Sequence, residues 1–219
     1  MKFKERLKNW QQYSEMSDLG IIARRKFFNN CFDGALTCAG IVSGIFIIFL
    51  GHPNKFTPQN VIVTGFATAL AIGISGLWGA FLSEEAERRK KVLDMKKDMA
   101  MLEDIKDIIE YQEKERKEKQ KKEKTVLERA EKFATIVASL VDGGAPVLGS
   151  SLPLIPFFFG IYLSPLHFIF SYLILVALLV YLGIYLGTIS GGGRLRYALH
   201  LVLAGIVTLV VSLLLGEIT

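Results

Sequence analysis

The sequence predicts an all-α integral membrane protein, with five transmembrane helices and a charged cytoplasmic helical insert between the second and the third. Three observations carry this reading. First, five apolar stretches, at about 30–50, 61–83, 134–163, 168–187 and 197–215, are each long enough to cross a hydrocarbon core, which takes about 20 helical residues. Second, the cations are sorted: of 26 Lys and Arg, all but Lys55 lie in 1–29, in 88–132, or at Arg194 and Arg196. Five spans place those three regions on one side, and the positive-inside rule makes that side the cytoplasm. Third, Asp33 and Asp142 sit inside the first and third stretches. A carboxylate at membrane depth costs about 3 kcal/mol even on the lenient insertion scale, and is by default a functional-site hypothesis.

The domain organisation follows: 1–29 an interfacial amphipathic helix, 30–83 the first two spans, 84–133 the charged insert, and 134–219 the last three spans. The N-terminal segment is charged, with no short apolar core and cleavage site to mark a secretory signal. Phe3, Leu7, Trp10 and Tyr13 fall on one face of it, as in a helix lying at the headgroup level. The net charge of +5 is topological, with anionic lipid as its natural contact, and is not a nucleic-acid signature.

The first span opens Phe32-Asp33-Gly34, and Asp33, Thr37, Gly40 and Gly44 share a helix face. Cys31 and Cys38 stand seven residues apart in the same span, too far along the axis for a disulfide; they are soft metal ligands or small packing residues. The second span carries Gly65, Ala69, Gly73, Gly76 and Ala80, a small-residue stripe that lets helices approach closely. It runs without a breaker into the acidic exit Glu84, Glu85 and Glu87. Val92, Met95, Met99, Leu102, Ile105 and Ile109 then make an apolar seam that suits a partner helix, so a homodimer is expected.

A second helix of the insert leads into the third span. Glu128, Glu131, Thr135, Ser139 and Asp142 follow at helical spacing, a polar stripe descending from the cytoplasm to Asp142. Gly143-Gly144-Ala145-Pro146 follows at once and predicts a break in the helix; Pro153 and Pro156 disturb it again. Broken helices at membrane depth are used by transporters at ion sites. Asp33-Gly34 and Asp142-Gly143 also align as a short parallel repeat, which places the two aspartates at similar depth. His52, His167 and His200 are scattered, and the glycines near 191 lack the features of a phosphate loop.

These residues resemble the vacuolar iron transporter family. The family's first-span Ser-Asp-Gly-Leu-Thr is similar to Phe32-Asp33-Gly34-Ala35-Leu36-Thr37. Its second span resembles Gly65-Phe66-Ala67 and Gly79-Ala80-Phe81-Leu82-Ser83, on to Glu87, and its Pro-Leu-x-Pro-aromatic motif resembles Pro153-Leu154-Ile155-Pro156-Phe157. The resemblance covers about 24–90 and 133–216 in order. It implies a homodimer that exports Fe²⁺ or a related divalent ion from the cytosol against protons. The Glu and Met that the family places in its second span as metal ligands fall on Thr68 and Gly76 here, so only Asp33 carries over.

The expected function is therefore a divalent-metal transporter for Fe²⁺ or Mn²⁺, working by proton antiport. Asp33 and Asp142 are the expected main ligands and Thr37 and Ser139 the secondary ones, with Glu128, Glu131, Glu84 and Glu87 as further acidic ligands at the cytoplasmic end. Hard oxygen donors suit these ions. A carboxylate in low dielectric favours its proton, so proton and metal compete for it, which is the basis of antiport. The metal is cargo, and no tightly bound cofactor is expected. Asp94, Asp98, Met101, Glu103, Asp104 and Asp107 of the insert are metal-collecting residues or one solvated helix face. A different class of function is a non-transporting scaffold or regulator acting through the insert. An enzyme is not expected, for want of a Cys–His, Ser–His–Asp or His-rich constellation.

Overall fold

The computed structural model describes residues 19–103 and 114–216, with their side chains except at 95, 96 and 98–128. Among them every regular element is helical. Helix α1 spans Leu19–Gly51, α2 Pro58–Glu103, α3 Lys114–Ser151, α4 Pro165–Ser190 and α5 Arg194–Gly216; a 3-10 helix, Leu152–Phe158, follows α3 directly. All five α-helices are long and apolar enough to cross a membrane. The stripe from Phe3 to Tyr13 lies outside the described residues, as do the side chains of the apolar seam beyond Val92. Helix α1 is already formed at Leu19, well before the continuous apolar run starts at Asn30. Between Gly20 and Asn30 nothing breaks a helix; Arg24, Arg25 and Lys26 interrupt the apolar pattern and not the backbone.

The break expected in the third span does not occur. Helix α3 runs through Gly143, Gly144 and Pro146 to Ser151, and only beyond it does the chain tighten into the 3-10 turns that carry Pro153 and Pro156. Proline in a helix interior loses one hydrogen bond and crowds the preceding turn, but packed neighbours make it tolerable in membrane helices.

The chain divides into two compact units, one built on 26–76 and 142–216, the other on the described residues among 19–25 and 77–141. In the first unit, Cys38, Val42, Ile45 and Phe49 of α1 pack with Val61, Leu154, Phe157 and Phe168. Phe168 anchors this cluster, its ring 4.9 Å from Phe46, 5.3 Å from Phe49 and 5.5 Å from Phe157. Helix α4 starts where sequence chemistry dictates: Ser164 and His167 form a reciprocal capping box with Pro165 at the first turn. It ends at Gly191, whose φ of 66° lies in the left-handed region that glycine enters without penalty. Helix α5 packs against α4, and much of its surface, including Leu199, Leu203 and Val207, stays exposed, as suits a helix facing lipid. Buried hydroxyls hold the elements together: Ser171 donates to the Pro153 carbonyl at 2.6 Å, and Tyr172 to Ser43 at 2.9 Å. In the second unit, Lys91 of α2 stands 3.9 Å from Glu131 of α3.

Candidate cation site

Helical spacing puts Lys26, Asn30, Asp33 and Thr37 on one face of α1, since 26, 30, 33 and 37 recur at about one turn each. The first two of these reach one residue of α3. Lys26 Nζ lies 2.6 Å from Asp142 Oδ2, and Asn30 Nδ2 donates to Asp142 Oδ1 at 2.6 Å. Both carboxylate oxygens are thus occupied, one by a charged donor and one by a neutral amide. The Asp142 side chain is 12% exposed and that of Lys26 21%. A carboxylate so enclosed demands a cation or a hydrogen-bonding shell, and here it has both.

The two helices come close because α3 offers almost no side chain at the crossing. A Cβ on Gly34 of α1 would fall against the backbone carbonyl of Pro146, and one on Gly149 of α3 against the backbone carbonyl of Cys31. Ser150 closes the contact, its hydroxyl 2.9 Å from the Gly34 carbonyl and 2.8 Å from that of Pro146. Helix α2 meets the same stretch of α3 from another direction. A Cβ on Gly76 would lie 2.8 Å from the Asp142 carbonyl oxygen, and one on Gly73 2.7 Å from that of Gly143. Pro146 has no N–H to give the Asp142 carbonyl four residues earlier, so α2 packs where the ladder of α3 lacks a donor. Within lipid no hydrophobic force draws helices together, and such close backbone packing, with interhelical hydrogen bonds, takes its place. The sequence Gly-Gly-Ala-Pro therefore serves approach and not unwinding.

Asp33 is exposed and Thr37 half-buried on α1, and no hydrogen bond or ion pair among the described residues includes Asp33. Asp33 and Asp142 thus occupy unlike surroundings, one exposed and one buried. Ser139 is buried and donates to the Thr135 carbonyl at 2.8 Å, while Thr135 donates to the Glu131 carbonyl at 3.0 Å. This polar stripe is back-bonded to its own helix, a common use of Ser and Thr in membrane helices. Glu131 is half-buried near Lys91, Glu84 half-buried and Glu87 exposed, and the Glu128 side chain lies outside those described. Among the described residues no three His, Cys, Asp or Glu side chains stand together as a metal-holding group. Cys31 and Cys38 are both buried in apolar clusters, Cys31 with Phe28, Ala145 and Leu182, which makes them packing residues. His167 binds backbone on both sides, its Nε2 at 2.5 Å from the Phe159 carbonyl and its Nδ1 within 3.2 Å of the Ser164 N–H.

Lys26 and Asn30 were missing from the sequence-based set. Their signal was present: both continue the face of Asp33 and Thr37 by one and two turns.

The model of the VIT family matches residues 97–217, just over half of the chain, a stretch that includes Asp142 and the last three membrane helices. An uncharacterized protein of Methanocaldococcus jannaschii, MJ0645, is 24% identical over 158 residues, covering 72% of this chain and 70% of that protein.

Proposed function

The chain belongs to the VIT family, the vacuolar iron transporters, and from that membership we propose that it moves Fe²⁺ or Mn²⁺ out of the cytosol in exchange for protons. The observation that carries the reading is the enclosed Asp142 carboxylate, held between membrane-length helices opposite a polar face of α1 that continues to Asp33. Oxygen ligands of this kind favour hard or borderline divalent ions. Asp33 and Asp142 are assigned as the ligands on which transport depends, with Thr37 and Ser139 as weaker oxygen donors. Glu84, Glu87, Glu128 and Glu131 are assigned to collect cations at the cytoplasmic end. Proton coupling is assigned to carboxylates at which proton and metal are alternative occupants. The protein is proposed to act as a homodimer with its N-terminus and the 84–133 insert in the cytoplasm.

Purified protein in proteoliposomes, loaded with a metal-quenched dye and a pH dye, tests this. Wild type is expected to give Mn²⁺- or Fe²⁺-dependent proton flux, and Asp142→Asn and Asp33→Asn to abolish it while the protein remains folded. Full flux in the double Asn variant would place the transport site elsewhere. No metal flux in wild type would favour the scaffold reading, in which the insert acts on a soluble partner.

A further inference from the structure

We propose that Lys26 is a tethered counter-cation for Asp142: its ammonium occupies the carboxylate when no ion is bound, and a divalent cation must displace it to bind. The proposal rests on the assignment of Asp142 as a cation ligand, and adds the residue that sets which ions can reach it.

The geometry is that of an occupied cation position. Lys26 Nζ sits 2.6 Å from Asp142 Oδ2, with the pair 21% and 12% exposed, so the charges face each other where water screens them poorly. An ammonium at this place neutralises the carboxylate between loads, so an empty site does not carry a bare charge among apolar helices. The residue type suits a displaceable ion. Lysine bears a compact, strongly hydrated charge on a flexible four-carbon stem and lacks the rigid bidentate fork with which arginine clamps a carboxylate. Lys26 lies one turn before Asn30 on the same face of α1, and it keeps partial exposure into which the ammonium can swing. Asn30 donates its amide to Oδ1 at 2.6 Å, and the same side chain, turned over, offers a carbonyl oxygen to an incoming ion.

Two consequences follow. The affinity for a divalent ion is the difference between its attraction to Asp142 and that of Lys26, which keeps binding weak enough for release. And a monovalent ion, which brings no more charge than the ammonium it must replace, gains little from the exchange. Lys26 is in this sense a specificity-determining residue for ion valence.

The experiment uses the full-length protein in nanodiscs with Mn²⁺ as the probe, free Mn²⁺ being read by electron paramagnetic resonance. Lys26→Gln keeps a hydrogen-bond donor for Asp142 and removes the charge. It is expected to bind Mn²⁺ roughly tenfold or more tightly than wild type, and to let K⁺ compete with Mn²⁺ where wild type does not. Adding Asp142→Asn to it should erase the gain. In wild type, saturating Mn²⁺ should raise acylation of Lys26 by an amine-reactive reagent several-fold, read by peptide mass spectrometry. Lys26→Gln with wild-type or weaker affinity, alongside weakened binding in Asp142→Asn, overturns the proposal and leaves Asp142 as a ligand. Wild-type affinity in Asp142→Asn overturns the assignment beneath it. If Lys26→Gln does not fold, the acylation of wild type decides, and labelling that ignores Mn²⁺ sinks the idea.

Discussion

Gly34→Ala is the substitution by which the crossing of α1 and α3 stands or falls. The new methyl would lie 2.7 Å from Pro146 Cα and 2.8 Å from its carbonyl carbon, and closer still to its oxygen. These are backbone atoms of a helix and cannot rotate away. The helices must separate, and inserting one methyl group into a closed packing contact costs roughly 1–3 kcal/mol. Separation also stretches the 2.9 Å hydrogen bond from Ser150 to the Gly34 carbonyl, worth about 1 kcal/mol. Alanine's better helix propensity returns up to about 1 kcal/mol, and Gly40→Ala on the same helix, with nothing within 4 Å of its added carbon, isolates that gain. Gly34→Ala should therefore lie about 2–4 kcal/mol below Gly40→Ala. At roughly 2–4 °C per kcal/mol for a chain of this size, that is a difference of about 4–16 °C in Tm. Intrinsic-fluorescence melting in mild detergent measures it. Equal melting temperatures for the two variants would mean that α1 does not pack on Pro146.

Gly76→Met, which supplies the residue type that the resemblance places there, should lower stability by roughly 1–3 kcal/mol and leave Mn²⁺ transport no better, because its Cβ meets the Asp142 carbonyl at 2.8 Å; improved transport in proteoliposomes would contradict this. Ser171→Ala leaves the buried Pro153 carbonyl without its 2.6 Å donor and should cost about 1–2 kcal/mol. Thr188→Ala, an exposed residue bonded to its own helix, should cost nearly nothing, and the two melting curves can be compared directly. Single cysteines at positions 55 and 114, on a background lacking Cys31 and Cys38, should label from opposite sides of the membrane; labelling of both from one side would overturn the proposed topology.

The five spans were legible because membrane helices announce themselves by length and hydropathy, which need no knowledge of partners. The start of α4 is equally local, set by Ser164, Pro165 and His167. What escaped was what depends on a neighbouring helix. Gly143-Gly144-Ala145-Pro146 has the composition of an unwound segment and of a close crossing alike, and only the nearness of Cys31, Gly34 and Gly76 decides between them. Lys26 was hidden differently. In the sequence it reads as one of the cations that set topology, although its register with Asn30, Asp33 and Thr37 places it on their face. The repeat between Asp33-Gly34 and Asp142-Gly143 matches residue types and carries no information on surroundings: one aspartate is exposed, the other is bonded by two side chains of α1.

The same crossing bears on position 76, where the resemblance implies a methionine. For α2 to lie against the Asp142 carbonyl, position 76 can carry no Cβ without moving a backbone, so a methionine ligand there and the packing seen here exclude each other. Pro146 contributes by leaving that carbonyl without its helical donor, which makes the surface α2 meets flat and acceptor-rich. Among the described residues, both oxygens of the Asp142 carboxylate on α3 are met by side chains of α1. Lys26 and Asn30 are spaced one turn apart, and a one-residue slip of α1 would withdraw both donors from Asp142 together. The glycine contacts of Gly34 and Gly149 fix that register. Packing and charge are in this way one arrangement: the small residues set the helix positions, and those positions put an ammonium and an amide on the Asp142 carboxylate.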